Sequence, residues 1–530
     1  MAQTKTERTK KKQLGQFMTP LETCREILSH ETFLVSDRVL EPSFGCGNFI
    51  ICLIEKFLPL YEGNTEEKLD LILRDNIWGV ELDPEMHQAC LDAIQSEYGY
   101  LPEKHNLFLG DFLLWESPAA FTRVIGNPPF GGTIQPAFQN LLERKYGTRS
   151  GYKIKKETYS FFMIKSLETL AERGSLMFIC SDTFLTIKTM KGLRKFLFSS
   201  GFNRVSKMGY FSEETSYPMI TIRHFKSDAR DYIELDGRRI PESSMSLTDN
   251  FSWSMQDRYG EYFKGAKIGD YLVGSGGMTI GKNELFLREI EKDGCIFEEY
   301  DFEFFEDPIT LENETARAKN NQLSPAKQAD IKRLELIGAH KRNIRIKKKE
   351  SPVKIQIPNE DYCLYNKPSS ETVYAEPKTA IYWKDDGDAC YTFKKNGNWY
   401  LHGVGGKPFF KKEAITWQLI SSSIKARYLP EGYILDNGSP IAAARPGIAK
   451  DELFFILGWL LTEKCSELLK NVINHTKNIQ SKDIERLPYP WWVSAEKKKE
   501  ITEIVKAAVE CKMRGEKRAD ISDLNAMFEI

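Results

Sequence analysis

The sequence predicts an α/β fold with a doubly wound, mostly parallel sheet, followed by a second domain of mixed α+β structure. Two observations predict this. Strand-like apolar segments alternate with helical segments through the first part of the chain, which is typical of a parallel sheet with right-handed crossovers. The alternation stops near residue 235, and the length of 530 residues leaves ample room for a second core. We therefore assign 1–235 to one domain and 236–530 to another.

The elements follow one another in order along the first domain. Strands are predicted to begin at residues 38, 77, 106, 123, 174 and 219. Helices are predicted to begin at residues 21, 47, 84, 159 and 193, with extra helix at 56–73. The second domain is rich in Gly, Tyr, Trp and charge; it holds a candidate strand at 379–383 and helical stretches at 451–472 and 495–513.

Amino-acid composition and charge restrict the classes of protein to which this chain can belong. With 74 Lys+Arg against 75 Asp+Glu the net charge is −1, so any nucleic-acid surface must be a local basic patch. No apolar run approaches the ~20 residues of a membrane-spanning helix, and the start of the chain is polar, so we expect a soluble, cytoplasmic protein without membrane association. The ten cysteines stand singly, outside any zinc-binding spacing, so we expect reduced thiols and no metal.

Polar residues end three successive strands. Glu41 and Pro42 precede a turn with Gly45, Glu81 ends the second strand, and Asp111 with Phe112 follows the third. Glycine lets a ligand approach the backbone, and a carboxylate can accept the hydroxyls of a ribose. Each signal alone also fits a tight turn or a helix cap. Because ligands bind outside the carboxyl ends of parallel strands, the three together predict a nucleoside site without a pyrophosphate.

The fourth strand ends in Asn127-Pro128-Pro129-Phe130, the strongest signal in the chain. The two prolines fix the backbone, so that the Asn127 amide oxygen and the Pro128 carbonyl can face one substrate. Such a site accepts two hydrogen bonds from a planar NH2 group, and Phe130 can stack on the attached ring. The alternative is a rigid turn after a buried strand.

Taken in order, these motifs resemble those of the gamma-class DNA adenine-N6 methyltransferases of the TaqI type, found in restriction–modification systems. The motifs that carry the resemblance are FMTP at 17–20, LEPSFGCGNF at 40–49, GVELD at 79–83, GDFL at 110–113, NPPF at 127–130, YSFF at 159–162 and GYF at 209–211. The resemblance covers residues 14–225, and the remainder is similar only by its position as a C-terminal target-recognition region.

The resemblance implies a Rossmann-like fold and S-adenosylmethionine as methyl donor, with S-adenosylhomocysteine as product. By motif position, Thr19 would lie near the methionine carboxylate of the cofactor and Glu41 near its amino group, with Pro42 and Gly45 in the turn between the strand and the helix. Glu81 would bind the ribose. The residues around the adenine would be Asp111, Phe112 and Phe162. Asn127 and the Pro128 carbonyl would hold the amine of an adenine flipped out of the duplex. Phe130 would stack on one face of that base and Phe211 on the other, with Tyr217 as the alternative to Phe211.

Two basic segments are candidate DNA contacts. The segment 146–156 mixes glycine, basic and aromatic residues after the catalytic turn, and Arg149, Lys153 and Lys155 are its candidate phosphate ligands. The segment 340–349 alternates basic with apolar residues and contributes Lys341 and Arg342. A solvated surface is the competing interpretation of both. The polar segment 474–480 is a further, weaker candidate.

The expected partner is double-stranded DNA, bound by a monomer, and a cognate restriction endonuclease encoded separately would fit the resemblance. The sequence shows no convincing nuclease motif. Two alternatives stay open. An NPPF site serves any planar NH2, so RNA or a protein glutamine is a possible substrate, and a catalytically inactive DNA-specificity subunit would share the fold. The recognition sequence cannot be read from the second domain.

Overall fold

The computed structural model describes residues 18–129, 136–210, 218–306, 342–395, 398–399, 404–516 and 521–530. The chain forms two compact units, Met1–Gly260 and Glu261–Ile530. The first unit therefore extends 25 residues beyond the boundary expected at 235. Among the described residues, none of the helices combines the length and apolarity that a bilayer crossing requires.

The first unit is built on a nine-stranded sheet in the order β11-β10-β8-β9-β7-β4-β1-β2-β3. The strands of this unit are β1 Val39–Glu41, β2 Ile77–Glu81, β3 Asn106–Leu109, β4 Phe121–Gly126, β5 Thr148–Arg149, β6 Tyr152–Lys153, β7 Leu170–Ser181, β8 Gly201–Gly209, β9 Met219–Lys226, β10 Tyr232–Leu235 and β11 Arg238–Pro241. The two shortest strands, β5 and β6, form a separate antiparallel ribbon.

The sheet is doubly wound about β1, which confirms the predicted fold class. β1 pairs in parallel with both β2 and β4, and the chain continues outward to β3 on one side and to β7 on the other. The winding direction thus reverses between β1 and β4, and in doubly wound sheets ligands bind at the carboxyl ends of the strands beside such a reversal. β9 departs from the parallel pattern, because it runs antiparallel between β7 and β8.

Helices flank this sheet, close to their predicted starts. Their bounds are α1 Leu21–Ser29, α2 Asn48–Phe57, α3 Thr65–Leu71, α4 Pro84–Tyr98, α5 Pro136–Tyr146, α6 Thr158–Thr169, α7 Lys191–Ser200, α8 Glu242–Ser246 and α9 Asp257–Gly260. The core includes buried apolar side chains of α1, α2 and α4 together with inward-facing residues of β1, β2 and β3. α3 accounts for the extra helix expected at 56–73, and Asn64 caps its first turn.

Two sets of contacts attach the residues after 235 to the first unit. β10 pairs with β8, and the turn to β11 closes an antiparallel hairpin at the sheet edge. The buried guanidinium of Arg194 then donates to the carbonyls of Asn250 and Phe251, at 2.9 Å for Phe251. A buried guanidinium needs several acceptors, so these carbonyls stabilise the segment against α7.

The second unit is a mixed α+β structure with several small sheets. Its strands are β12 Leu272–Ser275, β13 Leu287–Glu289, β14 Cys295–Glu306, β15 Arg342–Gln356, β16 Tyr362–Asn366, β17 Thr379–Tyr382, β18 Lys394–Lys395, β19 Asn398–Trp399, β20 Ala414–Trp417, β21 Ala426–Leu429, β22 Tyr433–Leu435 and β23 Ile441–Ala444. Two four-stranded sheets have the orders β12-β23-β20-β21 and β13-β17-β16-β22. Within the described part of the chain, the long strands β14 and β15 pair with each other and with no further strand, as an antiparallel ribbon.

The helices of the second unit lie mostly near its end. They are α10 Ile268–Tyr271, α11 Asn283–Phe286, α12 Lys384–Thr392, α13 Asp451–Leu460, α14 Glu463–Leu468, α15 Ser481–Arg486, α16 Ala495–Met513 and α17 Leu524–Met527. The predicted helix at 495–513 is confirmed at both ends. The helical stretch at 451–472 is divided between α13 and α14, because Thr462 caps a new helix by accepting from the Cys465 N–H.

Candidate active site at the carboxyl ends of the strands

The turn after β1 is held by the carboxylate at the end of β2. Glu81 Oε2 accepts the Gly45 N–H at 2.8 Å, and Glu81 Oε1 accepts the Asp83 N–H at 2.8 Å. Burial raises the pKa of this carboxyl group, although the backbone N–H groups oppose the effect. Each carboxylate oxygen retains acceptor capacity, so Glu81 can also bind a hydroxyl pair.

Glu41, at the end of β1, is the most deeply buried acid of the site, with 1% of its surface exposed. Its Oε1 accepts the Ser43 N–H at 3.1 Å. Burial raises the pKa of Glu41 well above its ordinary range, and the neighbouring charge of Glu81 raises it further. A buried carboxyl group of this kind favours a cationic partner, because a nearby positive charge offsets the cost of ionising it.

The first turn of α2 follows directly. Gly47 has a φ of +89°, and a Cβ atom at this position would lie 2.4 Å from Cys90 Sγ on α4. Only glycine meets both requirements, so the sequence brings the start of α2 close to α4.

Phe112 and Phe162 form an aromatic wall after β3. Their ring centroids are 5.1 Å apart, and both side chains are buried. Asp111 lies before Phe112, and its Oδ1 accepts the Leu113 N–H at 2.9 Å, which orders this turn. The structure therefore brings together the two aromatic residues that the resemblance assigned to an adenine.

Lys165 is a buried residue that the sequence analysis missed. It extends from α6, with its Nζ 5.1 Å from the centre of the Phe112 ring, and it donates a hydrogen bond to the Trp115 carbonyl. Burial lowers its pKa to about 8. A single lysine within the apolar segment 159–167 was the available signal, since lysine is seldom buried without a specific partner.

Two hydrogen bonds hold the turn at Asn127, the candidate catalytic turn. The Asn127 side-chain nitrogen donates to the Thr19 hydroxyl at 3.0 Å, and the Ser43 hydroxyl donates to the Asn127 carbonyl at 3.3 Å. Pro128 is buried beside them. Ser43 was not among the predicted site residues, although it lies inside the quoted motif after Glu41.

Some predicted residues lie outside the described part of the chain, so their roles stay predictions. These are Phe130, Phe211, Tyr217 and Lys341. Arg342 begins β15, where its backbone pairs with Glu306.

Two of the predicted DNA ligands in the segment after α5 form ion pairs. Arg149 pairs with Glu168, and Lys155 pairs with Glu157 at 2.5 Å. Lys153 is exposed and lines a cavity of about 730 Å³ together with Arg144 and residues of the β5–β6 ribbon. Of the three predicted ligands, Lys153 is exposed, whereas Arg149 and Lys155 are partly buried, and the DNA contacts of all three stay predictions.

The side chains at the strand ends fit S-adenosylmethionine. Glu41 offers a buried acid to an ammonium group, Glu81 offers acceptors to ribose hydroxyls, and Phe112 with Phe162 offers an aromatic wall to an adenine. Among the described residues, no group of three or more His, Cys, Asp or Glu side chains could hold a metal ion.

Comparisons with solved structures support the fold along nearly the whole chain. The DrdV–DNA complex aligns with 95% of this chain and 58% of its own, with a TM-score of 0.54 and 12% identity. A nuclease-deletion mutant of the Type ISP restriction-modification enzyme LlaGI, solved with a DNA substrate mimic, aligns with 93% of this chain and 47% of its own, with a TM-score of 0.54 and 12% identity. At such identities the likeness concerns the fold.

Comparisons of sequence find relatives of higher identity than these solved structures. The Type II methyltransferase M.BstVI of Geobacillus stearothermophilus is 32% identical over 206 residues, which are 35% of this chain and 36% of the relative. M.TthHB8I of Thermus thermophilus is 28% identical over 240 residues, 44% of this chain and 50% of the relative. This chain therefore spans about a third to a half of the length of these relatives.

A family model, the Eco57I restriction-modification methylase, matches residues 67–215. The matched residues lie within the segment 14–225 that carries the motifs, so the family model and the sequence relatives confirm the resemblance to restriction–modification methyltransferases.

Proposed function

We propose that this chain is a site-specific DNA methyltransferase that transfers a methyl group from S-adenosylmethionine to the N6 amine of an adenine flipped out of duplex DNA. The observation that carries the proposal is the placement of Asn127. Its amide is tied to Thr19 at the carboxyl ends of the strands, next to the turn that Glu41 and Glu81 organise. This placement supports a proposed amine acceptor and a proposed nucleoside site at one edge of the sheet.

One set of residues is proposed to bind the cofactor and another set to bind the substrate. S-adenosylmethionine, when bound, supplies an electrophilic methyl group. Glu41 binds its ammonium group, Glu81 its ribose, and Asp111 with Phe112 and Phe162 its adenine. The Asn127 amide oxygen and the Pro128 carbonyl accept the two hydrogens of the target amine, which directs the nitrogen lone pair away from them and raises its nucleophilicity. Phe130 stacks on the target base, and Phe211 is proposed for the opposite face.

The second unit is proposed to read the DNA sequence. The sequence relatives are Type II methyltransferases, and two structures with this fold were solved with DNA or a DNA mimic. A methyltransferase of this kind protects host DNA from a restriction endonuclease. We propose a cytoplasmic monomer whose cognate nuclease is encoded separately.

The decisive experiment measures transfer of a labelled methyl group to unmethylated duplex DNA by the wild type and by Asn127→Ala. We expect label on adenine within one short sequence motif, mapped by sequencing, and loss of transfer in the variant with cofactor binding retained. RNA and a protein extract serve as competing substrates. Incorporation into either of these instead of DNA would contradict the proposal, and cofactor binding without turnover on any substrate would favour an inactive specificity subunit.

A further inference from the structure

Thr19 is fixed from both sides in the first unit. It lies two residues before α1 and is 5% exposed. Its carbonyl accepts a hydrogen bond from the Asn48 side-chain nitrogen at 2.7 Å, and its hydroxyl accepts one from the Asn127 side-chain nitrogen at 3.0 Å. Asn48 is the first residue of α2. A buried hydroxyl with an anchored backbone is a precise partner for a side chain that must adopt one orientation.

The orientation of the Asn127 amide decides what it can bind. One end of a carboxamide accepts hydrogen bonds and the other end donates them. An amine substrate presents N–H donors, so only the oxygen end of the amide can hold it. If the amide rotated by half a turn about its last torsion, donors would face donors and the substrate would be repelled.

The contact with Thr19 selects between these two orientations. Because the amide nitrogen lies against the Thr19 hydroxyl, the amide oxygen points away from Thr19. The Ser43 hydroxyl holds the Asn127 backbone carbonyl at 3.3 Å, so the main chain of the turn is fixed independently of the side chain. Thr19 therefore constrains the side-chain torsions of Asn127, which the neighbouring backbone contact does not fix.

We propose that Thr19 is a positioning residue for the methyl-accepting site, which holds the Asn127 amide with its oxygen toward the substrate amine. This inference rests on the proposed function. It differs from the contact with the cofactor carboxylate that the family resemblance implies for Thr19, because it acts through Asn127 and predicts an effect on turnover.

Two variants of Thr19 distinguish positioning of the Asn127 amide from binding of the cofactor. Thr19→Val keeps the shape and removes the hydroxyl, whereas Thr19→Ser keeps the hydroxyl. We expect Thr19→Val to lower kcat about tenfold or more while the Kd for S-adenosylmethionine, measured by calorimetry, stays within about twofold of the wild type. Thr19→Ser should recover most of the turnover. An unchanged kcat combined with weakened cofactor binding would overturn the proposal.

A DNA duplex without the target amine tests whether Thr19 acts through recognition of that amine. In a duplex with purine in place of the target adenine, the amine is absent and the orientation of the amide matters little. Wild type and Thr19→Val should therefore bind this duplex equally, while Thr19→Val should bind the adenine duplex more weakly. Equal weakening on both duplexes would mean that Thr19 has only a structural role.

A crystal structure of Thr19→Val distinguishes failure of this inference from failure of the proposed function. The Asn127 amide should leave its present orientation in Thr19→Val and keep it in Thr19→Ser, whatever the natural substrate is. An amide that remains in place without the hydroxyl would overturn the inference even if DNA is the substrate. Absence of DNA methylation by the wild type would overturn the proposed function alone.

Discussion

Gly126, the last residue of β4, lies directly against the carboxylate of Glu41 on β1. A Cβ atom at position 126 would be 2.3 Å from Glu41 Oε1 and 2.7 Å from Oε2. The two strands are neighbours in the sheet, paired in parallel through Leu40 and Val124. The missing side chain therefore provides the space in which the buried acid ends its strand, one residue before Asn127.

Replacing Gly126 with alanine should displace Glu41 and weaken cofactor binding. We expect Gly126→Ala to raise the Kd for S-adenosylmethionine at least about tenfold, because the acid can no longer meet the ammonium group in its present position. The matched control is Gly260→Ala, whose Cβ would meet only Leu247 Cδ1 at an ordinary 3.6 Å. Calorimetric titration of both folded variants tests this; wild-type affinity in Gly126→Ala would contradict it.

Cofactor binding should release a proton from Glu41. Its pKa is raised by burial and by Glu81, so the free protein holds a proton there over a range of pH in which an exposed glutamate has none. An ammonium group favours the carboxylate and lowers this pKa, so affinity should rise as pH increases through the raised pKa. Calorimetry in two buffers of different ionisation enthalpy measures the released proton. Glu41→Gln should bind weakly and release none; an equal release from this variant would assign the proton to another group.

Lys165 should make stability depend on pH in the alkaline range. Its folded pKa of about 8 is below the ordinary lysine value of 10.5, so the unfolded chain binds more protons between these two values. Stability should accordingly rise with pH across this window, by up to about 3 kcal/mol relative to a Lys165→Met variant. Urea unfolding of both proteins at pH values from about 7 to about 10 provides the comparison. Parallel pH curves for the two would mean that Lys165 keeps an ordinary pKa.

Lys153 and Lys349 should differ in their contribution to DNA affinity. Lys153 is exposed and lines the cavity beside the β5–β6 ribbon, whereas Lys349 forms ion pairs with Glu298 at 2.9 Å and Asp301 at 2.8 Å. A lysine that neutralises a phosphate releases a counterion, so Lys153→Gln should reduce the slope of log affinity against log salt by about one. Lys349→Gln should leave the slope unchanged. A loss of slope in Lys349→Gln alone would place the DNA along the β14–β15 ribbon instead.

Much of the site could be predicted from the sequence because strand order determines where strand ends meet. Glu41 and Glu81 end β1 and β2, and Asp111 and Asn127 follow β3 and β4. A doubly wound sheet gathers the carboxyl ends of its parallel strands at one edge. The start of α2 at Asn48 followed from the glycine before it.

The remaining features depend on packing between distant segments. The burial of Lys165 requires Trp115 and Phe112 to fold over it, and no local pattern encodes that contact. The boundary near residue 260 depends on carbonyls that bind Arg194 from more than 50 residues away, at separations of 56 and 57. The ion pairs of Lys349 could not be predicted either, because a run of basic residues in the sequence does not show which acidic residues lie across the β14–β15 ribbon.

The two tethers of Asn127 join segments that are far apart along the chain. Ser43 is 84 residues before it and Thr19 is 108 residues before it, although all three meet within hydrogen-bond distance. The Ser43 contact spans the same 84 residues as the pairing of Leu40 with Val124, so it can form as soon as β1 and β4 pair. The Thr19 contact also requires the segment before α1 to reach Asn127, so a chain shortened by its first twenty residues should keep its sheet and lose the side-chain tether of Asn127.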